Sequence, residues 1–400
     1  MRRLIRVPVE TFAEEHWGSR PLLSPSADLP AGFADLFSLG AVDELLSWRG
    51  LRTPFLRVVK SGNVVEPRLY TGSGGVGAEI ADQVVDDRVL ELFADGHTIV
   101  LQGLHRLWPP LIEFAGELTA DLGHPVQINA YVTPSASQGF SAHYDVHDVF
   151  VLQVAGDKRW TIHDPVHLDP LRTQPWNDHA AAVAQRAEEH PAVDTVLHAD
   201  DALYLPRGFI HSAEALGEVS AHLTVGVQEH TRHAIVEAIA AIVADDLQLR
   251  RSLPLGIDVR NPDELDAEVE ATVEALSARL ETISSRDVAR IMAERTRSST
   301  RPAPLGPVAQ VRALERLDVR STICARRNLH LSVTDRADEI EISGVGRPLK
   351  VAAAAKAALD TVLRGQPVQI DDLPGLSAEA ALELARDLVR CGIALPDQAG

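Results

Sequence analysis

Between residues 125 and 230 the chain is a series of short strand-like runs separated by tight turns: VQINAYVTP, DVFVLQVAGDKRWTIHDP, VDTVLHADDALYLPRGFIHSAEA and SAHLTVGVQEH. Alternating side chains place one face of such runs against a core. Several short strands with tight turns and few helices argue for a barrel or jelly roll. Within the second run, Ala155-Gly156-Asp157-Lys158 separates two strand-like halves and predicts a hairpin.

The flanks differ from this block. Upstream, LSPSADLPAG is punctuated by Pro and Gly, LRTPFLRVVKSG reads as a strand entering a turn, TIVLQGL as a short apolar strand, and ELTADLG as a helix end capped by Gly123. After His230 the pattern turns helical, first HAIVEAIAAIVADDLQL and then DELDAEVEATVEALSARLETI. In the second helix Leu265, Val269, Val273, Leu276 and Leu280 recur at helical spacing, a stripe expected to pack internally, with a partner subunit as the alternative. RSSTRPAPLGP, 297–307, reads as a linker.

Beyond it come the strand-like LHLSVTD and DEIEISGVG, a helix VAAAAKAALDTVL ending before Gly365, and a helix SAEAALELARDLVR with Ser377 as N-cap and Gly392 as stop. A β-hairpin with two helices is the make-up of a winged-helix-like module. The chain therefore divides into a β-rich domain with its leading elements at 1–230, a helical region at 231–300 and the winged-helix-like domain at 301–400, an α+β organisation.

Composition narrows the function classes. With 45% hydrophobic and 24% charged residues in 400, the chain reads as globular. No run approaches the ~18 apolar residues of a membrane span. The opening MRRLIRVPVETFAEEHW lacks the apolar core of a signal peptide, which predicts a cytoplasmic protein without a membrane partner. Cys324 and Cys391 lack metal-type spacing and are expected to be inert thiols. The net charge of -19 works against attraction to nucleic acid and favours a basic partner. Residues 301–400 carry 13 Lys/Arg against 13 Asp/Glu, so that module lacks the footprint of a DNA reader and is expected to have a protein-contact or structural role.

The chemistry concentrates in SAHYDVHDVFVLQVAGDKRW. In an extended segment His143 and Asp145 share a face, so an imidazole and a carboxylate converge. Two histidines and one carboxylate form a facial set that suits iron(II) and leaves positions open for a co-substrate and O2. His211, in LYLPRGFIHSAEA, is the third ligand this reading selects: the Pro206-Arg207-Gly208 turn lets the chain return toward the barrel. His147, His163, His167 and His222 compete for the place, but His143, Asp145 and His147 alone would lie along one line.

Lys158 shares a face with Trp160 and Ile162, a cation on an otherwise apolar side. It either snorkels from the strand end or pairs with a ligand carboxylate inside the barrel. Asn129, Tyr131 and Thr133 share a face on the preceding strand and offer hydrogen bonds to a polar ligand, while Ser137, Gln138 and Gly139 could form a rim.

The run from HPVQINAYVTP through SQGFSAHYDVHDVFVLQVAGDKRW to LYLPRGFIHSAEA resembles the JmjC subfamily of the cupin superfamily, in particular its ribosomal-oxygenase branch. FAEEHWGSRPLL and LRTPFLRVVKSG are similar to that branch's N-terminal signature, and the tail resembles its helical dimerisation region followed by a winged helix. The resemblance implies a double-stranded β-helix (cupin/JmjC jelly roll), Fe(II) on His143, Asp145 and His211, and 2-oxoglutarate held by Lys158 with Asn129 and Tyr131 nearby. It implies a homodimer and an O2-dependent hydroxylase acting on a side chain of a protein or peptide, such as a basic ribosomal protein. Where some relatives carry a second acidic residue after HYD, this chain has Val146 and His147. Hydroxylation of a small peptide or amino-acid-derived metabolite, or a non-enzymatic cupin sensor acting through the winged helix, are the alternatives.

Overall fold

The computed structural model describes residues 1–60, 62–77, 79–135, 137, 141–344 and 346–396. It forms two compact units, Met1–Glu229 and His230–Gly400.

The first unit is built on one antiparallel sheet. Its strands are β1 (Leu22–Ser24), β2 (Leu56–Lys60), β3 (Asn63–Val64), β4 (Thr98–Leu101), β5 (Val126–Thr133), β6 (Val149–His163), β7 (Val193–Leu197), β8 (Ala202–Leu205) and β9 (Ile210–Val227). They run in the order β1-β8-β6-β9-β5-β4-β2-β3, with β7 added alongside β6. The helix Pro109–Leu122 ends at Gly123, which takes the left-handed conformation expected of a C-cap.

The expected hairpin at residues 155–158 is absent. β6 runs through as one strand and bends at Gly156, whose φ is +61°. Its first half pairs with β8 and its second with β7, while β9 follows it along both halves with a register shift between Leu216 and Ala221. Glycine supplies the left-handed backbone, and Gln153 fixes the bend by donating to the carbonyls of Ala155 (3.0 Å) and Gly156 (2.9 Å) and to Ser220 Oγ (2.9 Å). The bend also switches side-chain parity. Val149 and Val151 before it join Trp160 and Ile162 after it in one buried cluster with Leu203 and Leu205, whereas Phe150 and Leu152 pack on the other face with Leu223 and Val225. The two long bent strands bring the sheet round on itself. Lys158 is in register with Ala215, yet its Nζ reaches Thr133 and His222 beyond the bend.

In the second unit, helices Arg232–Val243, Pro262–Leu280 and Ser285–Ser299 precede a core formed by Ile323, Ile340, Ile342, Leu359, Val362 and Leu388. Ser332–Asp335, Glu339–Ser343 and Leu349–Ala352 make a three-stranded antiparallel sheet. Val351 and Ala352 are thus strand where a helix is expected. Ser377 caps the helix Ala378–Arg390 by accepting from the Ala380 amide.

The stripe on Pro262–Leu280 packs internally only in part, with Leu265 and Leu276 half-buried. That helix buries none of its residues, and Val269 and Val273 are each more than half exposed. Periodicity locates an apolar face but not what covers it. Among the described residues no helix is long and apolar enough to cross a membrane.

Candidate metal centre

His143 and His211 meet through the backbone. They form an isolated antiparallel bridge, His211 N donating to His143 O at 2.8 Å and His143 N to His211 O at 3.2 Å. The segment from Ser141 to Asp148 is therefore not the regular strand its alternation suggests; one bridge holds it. Alternation survives locally: Tyr144, fully buried, turns away to pack with Val183 and Ile210 and donates to the Gln174 carbonyl at 3.0 Å. Asp145 is fixed by its own carbonyl, which accepts from Gly208 N at 3.0 Å. This is what the Pro206-Arg207-Gly208 turn contributes.

One ligand atom from each of His143, Asp145 and His211 lies within 4.8 Å of the others. His211 Nε2 is 3.7 Å from Asp145 Oδ2. Each histidine uses Nδ1 elsewhere, His143 toward Ser141 O (2.8 Å) and His211 toward Phe209 O (3.1 Å). A carbonyl only accepts, so Nδ1 carries the proton and Nε2 is left with a lone pair for a cation. Burial raises the Asp145 carboxyl, but His211, His147 and His143 outweigh it and hold the group below its ordinary value. Burial, then His143, push His211 down to about 4, so it is neutral near pH 7. Two imidazoles and a carboxylate on one face fit a divalent transition metal.

The competing histidines fall elsewhere. His147 packs against Gly226, where a Cβ would come within 2.5 Å of its Nε2. His167 stacks on His179 at 4.5 Å, and His163 is buried with Nδ1 unpartnered.

Lys158 is 2% exposed and bonds to Thr133 Oγ1 (3.2 Å) and His222 Nδ1 (3.0 Å). Burial alone pushes its ammonium down to about 7. It is a cation inside the fold, not one snorkelling to solvent. Tyr131 lies opposite His222 in register and stacks on its ring at 5.1 Å; burial, then Asp145, push its hydroxyl up to about 12. Trp160 bridges the two sites, its ring 5.9 Å from His211 and 5.4 Å from His222, with a buried indole N–H that has no hydrogen-bond partner among the described residues.

Asn129 has a partner of its own. Its Oδ1 accepts from Gly103 N at 3.0 Å at the start of the helix Leu104–Leu107. Of the expected rim, Ser137 accepts from Ala215 N at 3.2 Å, while Gln138 and Gly139 lie outside the described residues. Sequence reasoning placed His222 only among rival metal ligands and passed over Trp160 as an apolar neighbour. No local signal pairs His222 with Lys158, because their contact depends on the bend.

Residues 115–235 match the JmjC domain family. The chain is 29% identical over 276 residues to Ribosomal oxygenase 1 of Gallus gallus, covering 66% of this chain and 44% of that protein. It is 40% identical over 265 residues to the bifunctional lysine-specific demethylase and histidyl-hydroxylase NO66 of Drosophila erecta, covering 62% of this chain and 37% of that one. The chain thus spans less than half the length of these two relatives. Among solved structures, Escherichia coli ribosomal oxygenase YcfD shares the fold, with a TM-score of 0.54 and 18% identity over 99% of this chain and 100% of that one. A further YcfD structure, described as a complex with cobalt and 2-oxoglutarate, gives a TM-score of 0.53 at 16% identity over 98% and 99%.

Proposed function

Starting from the JmjC domain at residues 115–235, we propose that this chain is an Fe(II)- and 2-oxoglutarate-dependent oxygenase that hydroxylates an amino-acid side chain of a protein. The observation that carries the proposal is the pairing of two sites in one barrel: the His143, Asp145 and His211 cluster, and a buried Lys158 whose hydrogen bonds among the described residues go to Thr133 and His222 and to no carboxylate. A small dianion with a chelating end and a distal carboxylate satisfies both.

When bound, iron(II) with 2-oxoglutarate supplies an oxidant derived from O2, releasing succinate and carbon dioxide. The chain's own residues do the rest. His143 and His211 offer Nε2 because Ser141 O and Phe209 O hold the opposite nitrogens. Asp145 supplies the negative charge. Lys158 receives the distal carboxylate, and Tyr131, kept protonated by burial, lines the same wall as a hydroxyl donor. The apolar cluster of Val149, Val151 and Leu203 excludes water from that side. Strand alternation with Tyr131 on β5 supports a role for the Asn129 amide NH2 toward the ligand.

For the partner we favour a basic protein such as a ribosomal protein. The relatives' names and the net charge of -19 support this. The exposed Val269, Val273 and Leu280 support a homodimer formed through the helical region. A sheet and two helices around one core support a winged-helix reading of the C-terminal part. The test is incubation of the full chain with Fe(II), 2-oxoglutarate and host protein extracts. Succinate release and a one-oxygen mass gain on a protein that both require 2-oxoglutarate are expected. Mass gain on small peptides or metabolites only would move the substrate class, and no succinate with no metal binding would reject the enzyme.

A further inference from the structure

The Lys158 ammonium is steadied by an imidazole where a carboxylate would be the ordinary choice. Its Nζ meets His222 Nδ1 at 3.0 Å and Thr133 Oγ1 at 3.2 Å. An ammonium only donates, so Nδ1 accepts and the ring's own proton sits on Nε2. The ring has little freedom to do otherwise. Tyr131 lies flat against it, 5.1 Å away and 5° from parallel, and Trp160 meets it edge-on at 5.4 Å and 77°. Burial, then Lys158, keep it neutral.

The residue type has a consequence for charge. An aspartate or glutamate in this position would hold the lysine equally well but would cancel it, and an incoming carboxylate would meet a neutral pair. A neutral imidazole accepts the hydrogen bond and leaves the full positive charge for the ligand. Thr133 acts alike: its Oγ1 accepts from Lys158 and lies 3.2 Å from Thr98 Oγ1. With those lone pairs used, what remains of the trio's hydrogen-bonding capacity is mostly donors, which suits a carboxylate.

We propose that His222 is a positioning residue for the co-substrate, a neutral acceptor that fixes the Lys158 ammonium without cancelling its charge and so selects an anion with a distal carboxylate. This rests on the reading that Lys158 receives that carboxylate.

The test uses the full chain loaded with Mn(II), with 2-oxoglutarate and pyruvate, which lacks the distal carboxylate, titrated by calorimetry. His222→Leu, which removes the acceptor, is expected to weaken 2-oxoglutarate by about tenfold or more, and His222→Asp, which cancels the charge, by more than His222→Leu. His222→Gln, whose Oε1 can accept from Lys158, should stay within about threefold of the wild type. Mn(II) affinity and the weak binding of pyruvate should not change. The wild-type imidazole nitrogen spectrum, taken at about pH 6 where Lys158 carries its proton, should show the Nε2–H tautomer, and Lys158→Met should release that preference. Unchanged 2-oxoglutarate affinity in His222→Leu and His222→Asp, or an Nδ1–H tautomer in the wild type, overturns the proposal. The spectrum decides even where a variant does not fold. A wild type that holds Mn(II) but never binds 2-oxoglutarate rejects the underlying Lys158 reading instead.

Discussion

His143 and His211, 68 residues apart in sequence, exchange backbone hydrogen bonds as an isolated bridge and place their rings 4.6 Å apart. Because the backbone makes this junction, removing a side chain should not undo it. His211→Ala or His143→Ala is expected to lower divalent metal affinity by more than the roughly 10- to 100-fold that a ligand's outer partners are worth, with the unfolding temperature of the metal-free protein little changed. His147→Ala should retain metal, since His147 lies outside the cluster. Metal titration followed by thermal unfolding distinguishes these, and loss of metal in His147→Ala alone would move the third ligand.

A second expectation concerns pH. In the free protein burial holds the Lys158 ammonium near 7 instead of 10.5, so it is largely neutral at pH 8.5. A carboxylate bound beside it favours the charged form and pulls that value back up. Binding of 2-oxoglutarate above pH 7 should therefore take up close to one proton, and affinity should fall by up to about tenfold per pH unit. Calorimetry in buffers of different ionisation enthalpy measures the uptake. In Lys158→Met affinity should be weak and its pH slope should vanish, with metal still bound; an unaltered slope would mean that another group titrates.

The residues that sequence could find and those it could not differ in a physical way. Alternation placed Lys158 with Trp160 and Ile162, and Asn129 with Tyr131 and Thr133, because parity is local. That rule does not carry across Gly156, where the bend switches parity and one continuous strand takes the place of the expected hairpin. His222 was legible as a histidine but not as the partner of Lys158, a contact made across the bend of two paired strands. Asn129 shows the converse: its face was right, yet the helix start at Gly103 claims its oxygen. The stripe ending at Leu280 had the period of a packing face, yet among the described residues Val269, Val273 and Leu280 stay exposed.

Glu229 offers a second pH test, read in stability instead of affinity. Its Oε1 accepts from the amide of Asp148, and Arg207 Nη1 is 3.7 Å from Oε2. Burial first, and Asp148 next, push its carboxyl up to about 8. A folded value above the unfolded one contributes stability that is fully present below about pH 4.5 and is lost as pH rises through 8. Glu229→Gln keeps an acceptor for the Asp148 amide and removes the titration. The variant's unfolding temperature should therefore gain on the wild type between pH 5 and pH 8; a constant difference would show that Glu229 is ionised throughout.

Gly156 and Gly217 separate strain from collision. Both have left-handed backbone, φ +61° and +68°. A Cβ on Gly217 would meet nothing within 4 Å, but one on Gly156 would lie 2.4 Å from the Val219 carbonyl oxygen and 3.1 Å from Ser220 Cα. Gly217→Ala should cost only the backbone term, about 1–2 kcal/mol. Gly156→Ala adds a clash with main chain that cannot rotate away, so its cost should exceed that of Gly217→Ala by about 1 kcal/mol or more. Gly156 also sets the parity that turns Lys158 inward, so this variant alone should lose 2-oxoglutarate affinity. Urea unfolding and ligand titration of the two proteins give the comparison. Equal costs would mean that the bend yields without effort, and unaltered 2-oxoglutarate binding in Gly156→Ala would mean that it does not place Lys158.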